Sequence, residues 1–97
     1  MKSQTDMERL AGTFKALSDP TRLRIVKMLR DAGGPLCVNA IAYRLEVTQS
    51  AVSQHLRILR QAGIVEGRRA GRRVHYSVDT EVLKEHERLF KNALKVK

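Results

Sequence analysis

The chain has 97 residues, with 19 Lys and Arg against 10 Asp and Glu, so its formal net charge is +9. This length predicts one small domain, residues 1–97, with a core near the lower limit for independent folding. A single cysteine excludes an intrachain disulfide and is typical of a reducing cytoplasm. The N-terminus lacks the apolar run of a signal peptide, and no stretch reaches membrane-spanning length, so we expect a cytoplasmic protein with no membrane partner.

The first part of the chain predicts two helices. Apolar residues recur at helical spacing from Thr5 to Leu17, and Ser18-Asp19-Pro20 then breaks the pattern. Asp19 is a favourable cap for a second helix with Pro20 at its first position. That helix ends at Gly33-Gly34-Pro35.

The next segment predicts two helices joined by a tight turn. A short extended piece, Leu36 to Val38, precedes Asn39, which is a favourable cap for the third helix. Glu46 and Val47 form the turn, and Thr48 caps the fourth helix. Two short helices joined this closely form a helix-turn-helix.

The fourth helix separates its polar and apolar residues onto opposite sides. Gly63 is a suitable left-handed residue beyond its end. Gln and Ser are side chains that read base edges, whereas a merely solvated face is usually rich in Glu and Lys. The polar side, which contains no acidic residue, comprises Gln49, Ser50, Ser53, Gln54, Arg57, Arg60 and Gln61.

A basic hairpin is predicted to follow this helix. Ile64 to Arg69 and Arg72 to Val78 read as strands, with the turn at Ala70-Gly71. Six Arg and one Glu lie between residues 57 and 76, so about a fifth of the chain holds +5 of the net charge. A polar helix beside a basic loop favours duplex DNA, because a helix fits the major groove and arginines reach phosphates.

The last predicted helix begins at Asp79 or Thr80 and runs to about Lys95. It and the first helix carry more apolar surface than the helix-turn-helix and hairpin can easily cover, so we expect them to pack together and form a two-fold dimer interface; the alternative is that both apolar stripes are buried within one monomer. The predicted interface residues are Met7, Leu10, Phe14, Leu83, Leu89, Phe90 and Leu94.

Three segments, FKALSDPTRLRIVKML, QSAVSQHLRILRQAGIV and GRRAGRRVHYSV, together resemble the ArsR/SmtB family of transcriptional repressors. The resemblance covers about Phe14 to Asp79. It implies a mainly α fold with a small β-hairpin, namely a winged helix-turn-helix of four helices, two strands and a fifth helix. It also implies a homodimer that binds a palindromic operator and an inducer whose identity is unknown.

On the basis of this resemblance, we expect DNA contacts from the fourth helix and from the hairpin, or wing. His55 falls on the apolar side of the helix, where a packed histidine or a phosphate contact is favoured over base reading. The predicted DNA-binding residues are Gln49, Ser50, Ser53, Gln54, His55, Arg57, Arg68, Arg69, Arg72 and Arg73.

The metal sites of the resembled family do not match this sequence. The family's C-V-C box reads Cys37-Val38-Asn39 here, and one thiolate cannot build the multi-sulfur site that soft ions prefer. At the family's second site, on the last helix, Asn92 and Lys95 replace the later ligands. We therefore expect no metal and no other cofactor. Cys37 remains open as either a small buried residue or a thiol sensor.

An enzyme is not expected. Ser53 and His55 lie two residues apart on a helix and point to different sides, so they cannot act as nucleophile and base. A winged-helix module that binds protein instead of DNA stays open, although it gives no reason for the acid-free polar face. RNA binding is disfavoured, because three of the four aromatic residues fall on inferred core positions.

Overall fold

The computed structural model describes residues 5–95 and contains, within that range, five helices and one three-stranded antiparallel sheet. This confirms the mainly α class and the helix order predicted from the sequence. The elements are α1 (Asp6–Leu17), α2 (Pro20–Asp31), β1 (Leu36–Cys37), α3 (Val38–Leu45), α4 (Gln49–Gln61), β2 (Val65–Ala70), β3 (Arg73–Val78) and α5 (Thr80–Leu94).

Side-chain caps set the start of most helices. An oxygen of Thr5, Asp19, Thr48 or Asp79 accepts a hydrogen bond from a backbone N–H in the first turn of the helix that follows it. Such caps satisfy donors that have no partner within the helix and typically contribute about 1 kcal/mol each. The caps predicted at Asp19 and Thr48 are confirmed, and Asp79 is the cap of α5.

The cap predicted for the third helix is wrong. Helix α3 begins at Val38, and Cys37, not Asn39, occupies the N-cap position without a side-chain capping hydrogen bond. The reason is tertiary. Strand β1 pairs with β3, so the chain passes from this short strand directly into the helix, and Asn39 falls in the first turn, exposed to solvent.

The sheet has one strand more than the predicted hairpin. Its order is β1-β3-β2, and β1 joins the hairpin through the pairs Leu36–Tyr76 and Cys37–His75. Strands β2 and β3 pair from Val65–Val78 at the base to Ala70–Arg73 at the tip. The loop is therefore Gly71-Arg72, one residue later than predicted.

A Schellman motif ends α4 and directs the chain into the wing. Gly63 has a φ of 76°, and its N–H donates to the Arg60 carbonyl at 2.9 Å. The N–H of Ile64 donates to the Leu59 carbonyl at 3.0 Å. This pattern favours Gly because a side chain is strained at positive φ. It fixes where the wing begins relative to α4.

The core lies between α2, α3, α4 and the base of the sheet. Its largest fully buried side chains are Ile25, Ile41, Val52, Leu56, Leu59 and Ile64. Three of these six belong to the apolar side of α4, so burying that side holds the opposite face of the helix toward solvent. None of the helices in the described range is long and apolar enough to cross a membrane.

Candidate nucleic-acid interface

Helix α4 presents its predicted polar face to solvent. All seven residues of this face, defined above from Gln49 to Gln61, are exposed, while Val52, Leu56 and Leu59 on the opposite side are buried. The N-terminal part of the face carries four uncharged hydrogen-bonding side chains, and the arginines follow further along the helix. This arrangement can place amides and hydroxyls against base edges and guanidinium groups against phosphates.

The wing presents all four of its arginines to solvent. The strand register divides them, because directly paired residues of an antiparallel ladder lie on the same face. Arg68 and Arg73 share the face of His75, whereas Arg69 lies on the face of Val74 and Tyr76, beyond its buried part. Arg72 lies in the turn itself. A duplex along one face would meet only part of this set.

His55 is directed into the protein. Its side chain is half-buried, and Nε2 lies 3.9 Å from Oδ2 of Asp19, the cap of α2. The backbone N–H of Arg22, and to a smaller extent His55, lower the pKa of Asp19. The structure thus places His55 at the contact between α4 and the start of α2, as the packed alternative from the sequence predicts, and a phosphate contact by its accessible part stays a prediction. The physical reason is its position next to the buried stripe of α4.

Cys37 immediately precedes α3, the first helix of the helix-turn-helix, and its thiol contacts the wing. Its thiol is partly accessible, and Nη1 of Arg73 lies 3.6 Å from its Sγ. The backbone N–H of Ala40 in the first turn of α3, together with the Arg73 guanidinium, lowers the pKa of the Cys37 thiol. Arg73, which was predicted to contact DNA, therefore also contacts Cys37. The two residues are 36 positions apart, so no local sequence pattern predicted this contact.

Helices α1 and α5 pack against each other, as predicted. Phe14 and Phe90 meet edge to face with ring centroids 5.4 Å apart, and Arg9 lies 3.7 Å from Glu85. Thr13 and His86 are hydrogen-bonded and buried in the same contact. Burial lowers the pKa of His86 and so favours the neutral imidazole.

This packing changes the set of residues available to a partner. Leu10 and Leu89 are each only 5% exposed, because the contact between α1 and α5 within one chain already covers them. They add almost no area to the predicted interface. Leu83 is half-buried against the core, and Phe90 is half-buried too. Met7, Phe14 and Leu94 remain exposed, at 61%, 46% and 59%.

Tyr43 and Arg44 were not among the DNA-binding residues predicted from the sequence. Tyr43 is 85% exposed, and both residues line a surface groove that also contains Gln49, at the start of the polar face of α4. The first helix of a helix-turn-helix crosses the DNA backbone, so exposed polar and aromatic residues on α3 fit that role. An aromatic residue at a position of α3 that does not face the core was the signal in the sequence.

Metal-ligating side chains are dispersed. Across residues 5–95, no three His, Cys, Asp or Glu side chains lie close enough together to hold an ion. The three histidines lie in different parts of the structure. His55 faces α2, His75 lies on the sheet and His86 lies between α1 and α5.

The order of α3, α4 and the β2–β3 wing is that of a winged helix-turn-helix. A family model described as "Bacterial regulatory protein, arsR family" matches residues 19–67, which include α2, α3, α4 and the start of the wing. The chain belongs to the ArsR family. The ArsR resemblance seen in the sequence is thereby confirmed, and with it the assignment as a transcriptional regulator with a DNA-binding winged helix.

Named transcriptional regulators resemble this chain over about three quarters of its length. It is 39% identical over 74 residues to the transcriptional repressor SdpR of Bacillus subtilis, covering 76% of this chain and 80% of SdpR. It is 48% identical over 75 residues to the HTH-type transcriptional regulator NmtR of Mycobacterium tuberculosis, covering 76% of this chain and only 61% of NmtR. The chain thus spans less than two thirds of NmtR.

A solved structure shares the fold. It is the homodimeric winged helix-turn-helix DNA-binding domain of Mb0332 from Mycobacterium bovis, a possible ArsR-family transcriptional regulator. The two structures superpose with a TM-score of 0.74 at 30% sequence identity, and the match covers 96% of this chain and 90% of the other.

Proposed function

We propose that this ArsR-family protein is a homodimeric, sequence-specific repressor that binds a palindromic DNA operator. The observation that carries the proposal is the polar face of α4, which is exposed, free of acidic residues and followed directly by a wing with four exposed arginines. Two copies related by a two-fold axis would place their α4 helices in successive major grooves, about 34–36 Å apart or a multiple of that distance. The repressor named SdpR and the homodimeric Mb0332 domain support the assignment.

Base reading is assigned to the N-terminal half of α4, and Gln54 tests it. We expect Gln54→Ala to change which duplexes are preferred, because a Gln–adenine pair contributes about 1–3 kcal/mol of discrimination, roughly 5- to 150-fold. The measurement is selection of duplexes from a randomised library with both proteins, followed by affinities for the selected sites.

Gln61→Ala is the matched control for Gln54→Ala. It removes the same exposed amide from the same face two turns further along α4. We expect this variant to keep the preference of the original protein. An equal loss of affinity for every duplex in the Gln54 variant would contradict the assignment of this residue to base reading.

The dimer is assigned to the exposed apolar residues of α1 and α5. We expect Phe14→Glu and Leu94→Glu each to shift the protein from a dimer to an 11.0 kDa monomer in sedimentation at micromolar concentration, because each buries a charge in the proposed interface. Tyr43→Glu, which alters an exposed aromatic on α3, should leave the dimer intact. A monomeric unsubstituted protein, or dimers of both α1 and α5 variants, would contradict this interface.

A second candidate function is a repressor that responds to oxidation through Cys37. The specific observation is the contact of its thiol with Arg73, the first residue after the wing loop, together with the lowered pKa of the thiol. The thiolate is the reactive form toward peroxides. Its attack on hydrogen peroxide would transfer one oxygen to sulfur, form sulfenate and release water, and the new polar group would disturb the position of Arg73.

Mild peroxide should therefore weaken operator binding by the unsubstituted protein and leave the Cys37→Ser variant unaffected. Arg73→Gln should react more slowly, because the guanidinium that stabilises the thiolate is removed. Operator affinity and the rate of thiol loss are measured on the same samples. Identical responses of the unsubstituted and Cys37→Ser proteins would remove the sensor function and leave the repressor proposal untouched.

A further inference from the structure

A cavity of about 620 Å³ lies between α1, α5 and the C-terminal end of α4. Its buried floor contains the hydrogen-bonded pair Thr13 and His86, and its apolar wall includes Ile58, Ala62 and Val82. The volume falls in the range of sites for small molecules. None of the functions assigned above uses this cavity, although two of its walls are the helices of the proposed dimer interface.

The charged side chains around the cavity are all cationic. Arg9, Lys15 and Arg22 line it, and the described lining includes no Asp or Glu. Arg9 is partly neutralised by Asp6 and Glu85, at 3.9 and 3.7 Å. Arg22 lies near the Asp19 carboxylate and contributes to its lowered pKa, but neither Arg22 nor Lys15 forms an ion pair within 4 Å among the described residues, so anion binding rests on these two cations.

Arg22 is held in position at the edge of the cavity, and some of its guanidinium N–H groups have no hydrogen bond to the described residues. Its Nε donates to the Ala16 carbonyl at 2.6 Å, and its Nη2 donates weakly to the Lys15 carbonyl at 3.5 Å. A guanidinium group has five N–H donors in a planar fork that matches a carboxylate. Because the backbone of α1 already fixes the orientation of this fork, a carboxylate would lose little entropy of the side chain on binding.

Gly12 supplies an independent observation. It is an exposed residue inside α1 that lines the cavity, and a Cβ placed on it would meet no described atom within 4 Å outside its chain neighbours and its own stretch of helix backbone. Glycine inside a helix costs about 0.5–1 kcal/mol relative to alanine. No contact within the chain requires this cost. The missing side chain leaves the cavity open on the α1 side.

We propose that this cavity is a binding site for a small organic carboxylate with an apolar body. Arg22 and Lys15 hold the carboxylate, and the body lies on the wall formed by Ile58, Ala62 and Val82. A role of this ligand as the inducer rests on the proposed repressor function. The ligand would contact both the dimer helices and the end of the DNA-reading helix, so it can favour one arrangement of these elements over another.

The binding test uses the full chain without DNA. 4-tert-Butylbenzoate is titrated into ¹⁵N-labelled protein, and the uncharged 4-tert-butylbenzamide is the matched probe of the same shape. We expect saturable shifts of the Gly12, Gly63 and Val82 amides with the carboxylate and at least tenfold weaker binding of the amide. No saturable binding of the carboxylate at millimolar concentration, or equal binding of both probes, would overturn the proposal.

Two variants locate the site. Arg22→Gln should weaken carboxylate binding at least tenfold, whereas Arg24→Gln, an exposed arginine on the same helix, should leave it unchanged. Because Arg22 also bonds to the end of α1, Gly12→Leu provides a second test that keeps every charge and fills the open space. Unchanged carboxylate affinity in Gly12→Leu, whether or not the dimer dissociates in sedimentation, would overturn the site.

The inducer role is measured separately, as operator affinity with and without saturating 4-tert-butylbenzoate. Reduced affinity supports it, and unchanged affinity overturns it. Carboxylate binding by a protein that binds no selected duplex would mean that the repressor proposal fails while the ligand site stands.

Discussion

Replacing Arg68, Arg69 and Arg72 together with Ala is expected to weaken binding to every duplex, by roughly fivefold at physiological salt for each phosphate contact that is lost. Each lost phosphate contact should also reduce the slope of log affinity against log salt by about one. The three arginines are exposed and lie at the outer part of the wing. Arg73 is left in place because it contacts Cys37. The measurement is a salt titration of binding to selected and random duplexes.

The control must remove the same charge elsewhere. Replacing Lys84, Arg88 and Lys91 with Ala removes three exposed cations from α5, which is not among the elements packed closely against β2 or β3. We expect a small loss of affinity from long-range charge and no change in the salt slope. If both triple variants change the slope of log affinity against log salt equally, we would conclude that the net charge of the protein attracts DNA and that the wing has no specific role.

The single variants carry further information. The register places Arg68 and Arg69 on opposite faces of the wing and Arg72 in its turn. We therefore expect unequal effects of the three single replacements, and the smaller of the Arg68 and Arg69 effects identifies the wing face that is turned away from DNA.

Leu59→Ala is expected to destabilise the protein by about 2–5 kcal/mol. Leu59 is fully buried on α4, in the core shared with α2, α3 and the base of the sheet. Its truncation removes apolar contacts and leaves a cavity. Since domains of this kind have a total unfolding free energy of about 5–15 kcal/mol, the loss is a large share. Urea denaturation at a fixed protein concentration measures it, because dimerisation makes stability depend on concentration.

Leu23→Ala is the matched control, because it removes the same atoms from a side chain that is 52% exposed on α2. We expect a cost of at most about 1 kcal/mol, since half of that side chain is already in water. Equal costs for Leu59 and Leu23 would mean that α4 is not held by its apolar side and that burial of this side does not orient its polar face.

Much of the fold could be predicted because its signals are local. The caps at Asp19 and Thr48 act on backbone groups within three residues, and Gly63 acts on the last turn of α4. The polar face of α4 was predictable for the same reason, since helical periodicity assigns residues to sides whatever the helix packs against. Exposure of all seven polar positions agrees with this prediction, although their contacts with DNA remain predictions.

The errors arose where a distant segment determined the local outcome. Asn39 is a better cap than Cys37 by composition, yet pairing of β1 with β3 places the start of α3 at Val38. Leu10 was predicted to contribute to a dimer interface; it is only 5% exposed within the single chain, and the interface itself stays a prediction. In each case a segment about 40 or more residues away supplied the neighbour, and no local pattern contains that information.

The amino-acid order alone determined the helices, the basic wing and the side of α4 that meets water, because capping, periodicity and charge act between near neighbours in the chain. Only the tertiary structure decided that Cys37 meets Arg73, that His55 turns toward Asp19, and that α1, α4 and α5 enclose a cationic cavity. Two of these contacts, Cys37 with Arg73 and His55 with Asp19, join residues 36 positions apart, and the cavity joins three helices that are separate in the sequence. They depend on how the whole core packs, which the local energies of the separate segments do not specify.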